Sequence, residues 1–116
     1  MFKASDIIKQ FFESNPVFIA SMGENIMPLF ALAETAFPFA TYKINTMTPV
    51  TKDGMDRFDC TVFFWFSEQS YIAACQFHDA ILPSVKDYDL FRYVESGVDY
   101  SEEDKSIYIS INFLID

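Results

Sequence analysis

Residues 58–67 read Phe-Asp-Cys-Thr-Val-Phe-Phe-Trp-Phe-Ser. Phe58, Cys60, Val62, Phe64 and Phe66 recur at every second position, the period of a β-strand that turns one face to a core. The other positions carry Thr61, Phe63 and Trp65, with Asp59 and Ser67 at the ends. A sheet with one dry face alternates apolar with polar. This strand is instead apolar on both sides toward its C-terminal end, so Phe63 and Trp65 require a cover of their own. The segment from Val17 to Leu32 supplies one within the chain. A second subunit supplies one from outside, since large exposed aromatic patches mark interaction sites and Trp and Tyr are favoured anchors there.

Working upstream, Phe37-Pro38-Phe39 opens a strand through about Met47, with Ala40, Tyr42 and Ile44 on one face and Thr41, Lys43 and Asn45 on the other. A long polar connection, Thr46 to Arg57, contains Pro49 and the tight-turn pair Asp53-Gly54. The two strands are predicted to form an antiparallel hairpin with a protruding tip. Before them, Ile26 to Leu32 contains Pro28, which confines it to an edge strand or an extended segment. Asn15-Pro16 and Gly23 bracket a short helical turn. At the start of the chain, Ile7, Ile8, Phe11 and Phe12 share one side at helical spacing, and Asp6, Lys9, Gln10 and Glu13 share the other. This predicts an amphipathic helix with Ser5 as its cap.

Downstream, Ser70 is positioned to cap a main helix from Tyr71 to Leu82, which Pro83 follows. Its inward face is read as Ala73, Ala74, Phe77 and Ile81. Two strands close the chain, about Leu90 to Val98 and Ser106 to Ile115, around an acidic turn with Glu102, Glu103 and Asp104. In the last strand Ile107, Ile109, Ile111, Phe113 and Ile115 alternate with Tyr108, Ser110 and Asn112. The fold class expected is α+β: one antiparallel or mixed sheet of four to five strands with two main helices on one face, in the order α-(short α)-β-β-α-β-β. Residues 1–116 are expected to form one domain, and there are no repeats or low-complexity segments.

Bulk composition narrows the function. Fourteen Phe, six Tyr and one Trp in 116 residues exclude a disordered chain, which lacks such aromatic content. The formal net charge of -9 repels a phosphate backbone, so neither nucleic acid nor an anionic membrane is an expected partner. No apolar run approaches the ~18 residues of a spanning helix. Met1 to Glu13 lacks the basic, apolar and small-residue parts of a signal peptide, so an intracellular location is expected.

The usual chemical motifs are missing. The three glycines, Gly23, Gly54 and Gly97, form no phosphate-binding loop. The single histidine, His78, lies three residues from Cys75, within reach on a helix. No cation is at hand to activate that thiol, and His78 reads as a boundary residue. Cys60 and Cys75 read as reduced core thiols rather than a disulfide framework. The acids Asp99, Glu102, Glu103 and Asp104 lack the glycine and ligand spacing of a calcium loop. No catalytic residue, cofactor or metal site is expected.

The segment Phe37-Pro38-Phe39-Ala40-Thr41-Tyr42 resembles the Phe-Pro-Tyr strand opening of the tail-completion, or tail-terminator, proteins of long-tailed phages. The resemblance extends over about residues 4 to 115. It takes in a first amphipathic helix, a strand ending in Trp65-Phe66-Ser67, a helix over Tyr71 to Leu82, and two final strands around a polar turn. It implies a non-enzymatic structural protein, found in the bacterial cytoplasm or the virion. Such proteins form a ring, usually a hexamer, at the head-tail junction, so the implied partners are further copies, tail-tube proteins and head-connector proteins. Phe63, Trp65 and the Asp53-Gly54 loop are then the protein-contact candidates. The alternative is a small acidic immunity or inhibitor protein bound to a basic partner. An inhibitor would gather its acids on one face, whereas here they concentrate at turns.

Overall fold

The computed structural model describes residues 1–23, 25–29, 31, 35–50 and 56–116. Within them the order is α1 (Phe2–Glu13), α2 (Pro16–Met22), β1 (Ile26–Pro28), β2 (Phe39–Pro49), β3 (Asp56–Ser67), α3 (Tyr71–Asp87), β4 (Arg92–Ser101) and β5 (Ser106–Ile115). The strands form one sheet in the order β1-β2-β3-β5-β4. β1 runs parallel to β2 and every other pairing is antiparallel, so the sheet is mixed. The α+β class holds, and so does the expected order apart from the short β1 added before the hairpin.

The period-two pattern sets the inner face. Cys60, Val62, Phe64 and Phe66 of β3 are buried beside the five apolar residues of β5, and Ala40 and Tyr42 extend that face onto β2. The helices lie against it. Phe12 of α1 and Phe18 of α2 reach Phe64 at ring-centroid distances of 5.7 and 6.3 Å, and Phe77 of α3 reaches it at 5.0 Å.

α1 starts earlier than expected, at Phe2 with Met1 in the capping position. Its buried stripe of Ala4, Ile8 and Phe12 runs at i, i+4 spacing and draws the first turn onto the core. Ser5 therefore sits inside the helix, where its hydroxyl pairs with that of Tyr42 at 2.6 Å. α2 matches its signals: Asn15 Oδ1 accepts from the backbone N–H of Val17 and Phe18, and Gly23 ends the helix at φ 61°, where a side chain would be strained.

α3 runs through Pro83 to Asp87 rather than stopping at Leu82. Proline in a helix interior costs about 3 kcal/mol. Val85, fully buried in register with Ala74, Phe77 and Ile81, returns ~1.5–3 kcal/mol, and Leu82 packs beside it. Ala73 is exposed rather than inward, because the buried stripe passes through Ala74 instead. Ser70 precedes the helix but makes no side-chain cap bond, its hydroxyl pairing with Ser67 at 2.8 Å.

The hairpin is longer in strand than the sequence suggests. Thr46 to Pro49 pair with Asp59 to Asp56, so half of the expected Thr46–Arg57 loop is ladder. Asp53 and Gly54 lie outside the described residues. β4 begins at Arg92 rather than Leu90 and continues to Ser101.

Candidate contact surface

The outer face of the sheet carries the residues that the inner core leaves over. Trp65 pairs with Phe39 of β2 and Tyr108 of β5, and Phe63 pairs with Thr41 and Ser110. All of these side chains therefore share one face. Their rings form a continuous strip: Phe37 stacks on Phe39 at 5.4 Å, and Phe39 on Trp65 at 6.3 Å. Trp65 meets Tyr108 at 4.9 Å, and Phe63 touches both Trp65 and Tyr108. The Trp65 indole donates to the Thr41 hydroxyl at 3.0 Å.

Of the expected cover from Val17 to Leu32, Glu24, Phe30 and Leu32 lie outside the described residues, and the described part goes elsewhere. α2 puts Phe18 and Met22 into the inner core, and Ile26–Pro28 joins the edge of the sheet. The ring contacts of the three helices go to the inner core, and Phe63, Trp65 and Tyr108 remain half-buried. Both contact candidates among the described residues, Phe63 and Trp65, thus lie on the face opposite the helices.

Toward the hairpin, the same face turns polar. Two bulges lie at one level, Asn45 on β2 and Val94 on β4. An extra residue in a strand re-aims its neighbours. Asn45 donates to Asp59 Oδ1 at 3.2 Å and to the Thr61 hydroxyl at 2.8 Å, and Asn112 donates to the same Asp59 oxygen at 2.6 Å. Beside this network a trough of about 570 Å³ opens between Asn45, Asp59, Thr61, Phe63, Glu95, Gly97, Ser110 and Asn112, and a separate groove of about 370 Å³ lies on the helix side. Sequence reasoning missed the trough, because the two bulges that level it have no local signature.

The helix-side groove brings Cys75 and His78 together with Val98 and Ile109, between α3 and β4. His78 Nδ1 contacts Asp79 at 3.1 Å and its Nε2 has no partner among the described residues. Among the described residues, no lysine or arginine lines the groove. Cys60 is fully buried, and burial, aided by Asp59, pushes its thiol up to about 12, so it stays protonated and unreactive. Among the described residues no group of three or more His, Cys, Asp or Glu is placed to hold a metal. None of their helices is long and apolar enough to cross a membrane.

No protein-family model matches this sequence, and no curated protein matches it. The fold does have a solved counterpart. A chain of the virion of a native gene transfer agent particle superposes with a TM-score of 0.73 at 12% identity, over 93% of this chain and 89% of that one. At that identity the likeness concerns the fold.

Proposed function

We propose that this chain is a non-enzymatic structural subunit of a phage-like particle, and more narrowly a tail-completion protein that closes the tail as a ring at the head-tail junction. The observation that carries the reading is the match of nearly the whole chain to a component of a gene-transfer-agent virion. The surface supports it. A head-to-tail ring needs two different lateral surfaces on each subunit. The sheet has two unlike edges, the three-residue β1 and the ten-residue β4 with exposed Val94, Val98 and Tyr100. Phe63 and Trp65 are the contact residues on the outer face, and Asp53 and Gly54 are a second contact point. The partners are further copies, the tail tube and the head connector.

Light scattering behind a sizing column, over a range of protein concentrations, tests the ring. A mass near six subunits, or a climb toward it, supports the reading, and assembly that survives Trp65→Ser removes Trp65 from the seam. A monomer at every concentration, with or without added tail-tube protein, overturns it.

A further inference from the structure

We infer that copies of this chain join edge to edge: the free stretch of β2 in one copy adds to β4 of the next, and one sheet continues across the seam. This rests on the reading of the chain as a subunit that assembles with further copies, and it names the two surfaces that meet. The pairing uses neither Phe63 nor Trp65, so the test of those residues stands apart from it.

The backbone is the first argument. β4 is an outermost strand of the sheet, paired with β5 on one side only over Arg92–Ser101. At the opposite edge, β1 pairs with β2 over Ala40 to Tyr42, and from Lys43 to Pro49 the backbone of β2 pairs with β3 alone among the described residues. Unpaired strand edges are templates for another chain. Three antiparallel pairings separate β2 from β4, so the two strands run in opposite directions. A ring with its axis along the strands keeps that relation between neighbours. β4 then meets the next β2 antiparallel, the more stable kind of ladder.

The side chains are the second, because both faces of the two edges match. On the outer face β4 presents Glu95 and Asp99, by their register against Asn112 and Tyr108, and β2 presents Lys43, by its register against Thr61. None of the three forms an ion pair within the chain. On the helix face β4 presents Val98, 46% exposed at the groove beside Cys75 and His78, and β2 presents Met47, also 46% exposed. A methionine is flexible enough to fill such a groove. With Lys43 set opposite Asp99 and the bulged Asn45 passed over, Ile44 falls opposite Val98 and Met47 opposite Ser96, and both Val98 and Ser96 line the groove. The same charges oppose the wrong pairings: two β4 edges would set acid against acid, and two β2 edges lysine against lysine. Only the unlike pair gains, and a pair of unlike surfaces is what head-to-tail closure requires.

Val98→Asp blocks the β4 edge and Met47→Asp blocks the β2 edge, each at an exposed position. Light scattering is read at concentrations where the unaltered chain assembles. Each variant alone is expected to be monomeric. Their equimolar mixture is expected to stop at dimers, since the β2 edge kept by Val98→Asp meets the β4 edge kept by Met47→Asp and no second seam can form. Lys43→Glu, a milder exposed change, is expected to weaken assembly by about tenfold. Adding Glu95→Lys and Asp99→Lys to it is expected to restore assembly to within about threefold. Either aspartate variant assembling like the unaltered chain would overturn the seam. So would a mixture that stays monomeric, a Lys43→Glu chain that assembles unchanged, or an unaltered chain that is monomeric at every concentration. The ring is judged separately: dimers in the mixture with an unaltered assembly of some other number than six keep the seam and remove the hexamer, whereas six-subunit rings indifferent to all these variants keep the ring and remove this seam.

Discussion

Trp65 on β3 donates its indole N–H to the Thr41 hydroxyl on β2 at 3.0 Å, and Thr41 is only 3% exposed. The bond ties the aromatic strip to the sheet and fixes which side of the indole faces outward. Thr41→Val keeps the shape and removes the acceptor. A donor left unsatisfied costs about 1–3 kcal/mol. Urea unfolding should show a loss in that range, and native emission should move as the indole loses its partner.

Phe64 and Phe63 are adjacent in sequence and opposite in role. Phe64 is fully buried against Phe12, Phe18 and Phe77, and Phe64→Ala should cost about 3–5 kcal/mol. Phe63→Ala, on the half-buried outer face, should cost clearly less. If denaturation finds the two equal, the assignment of faces is wrong.

The two cysteines should separate chemically. Cys60 is buried with its thiol raised to about 12, and Cys75 is half-buried. A thiol-reactive disulfide reagent near neutral pH should titrate Cys75 in the native protein and reach Cys60 only on unfolding. The linkage sign follows: a raised folded pKa stabilises the fold fully below the unfolded value near 9.0, and that contribution is lost as pH rises toward 12. Cys60→Ala should flatten the alkaline limb of a stability-pH curve between those values.

Asp116 joins β3 to β4 by accepting from Arg57 and Arg92 at 2.7 Å each. The Arg57 hydrogen bond, opposed by slight desolvation and aided by both arginine charges, holds its carboxyl below the ordinary range. A depressed pKa gives stability that is present above the unfolded value, about 3.9, and lost as pH falls below it. The Asp116 side chain is 36% exposed and its arginine partners lie at the surface, so the effect is small and salt-sensitive. Asp116→Asn should change stability slightly at neutral pH in low salt and not at all once pH falls well below 3.

The strands were legible in the sequence because their cause is local. Period-two alternation in Phe58–Phe66 and Ile107–Ile115 assigns each side chain a face whatever the partner strand, and the doubly apolar end of β3 marked Phe63 and Trp65 as residues in need of a cover. The same local logic read α2 from Asn15, Pro16 and Gly23. It failed where distant packing outweighs a local preference. Pro83 stops a helix in isolation, yet α3 passes through it because Val85 has a core to enter. Ser5 is a good cap by type, yet Tyr42, remote in sequence, holds it inside α1.

By itself, then, the sequence determined an acidic α+β chain with a Phe-rich inner core and surplus aromatic residues on its third strand, because composition and alternation act residue by residue. Only the tertiary structure decided that β1 would lie parallel to β2, that α2 would join the helix layer on the face opposite Trp65, and that two bulges would level Asn45, Asp59 and Glu95 around one trough. Each of those depends on register between strands far apart in the chain, and register is set by the summed packing of both faces rather than by any short stretch of residues.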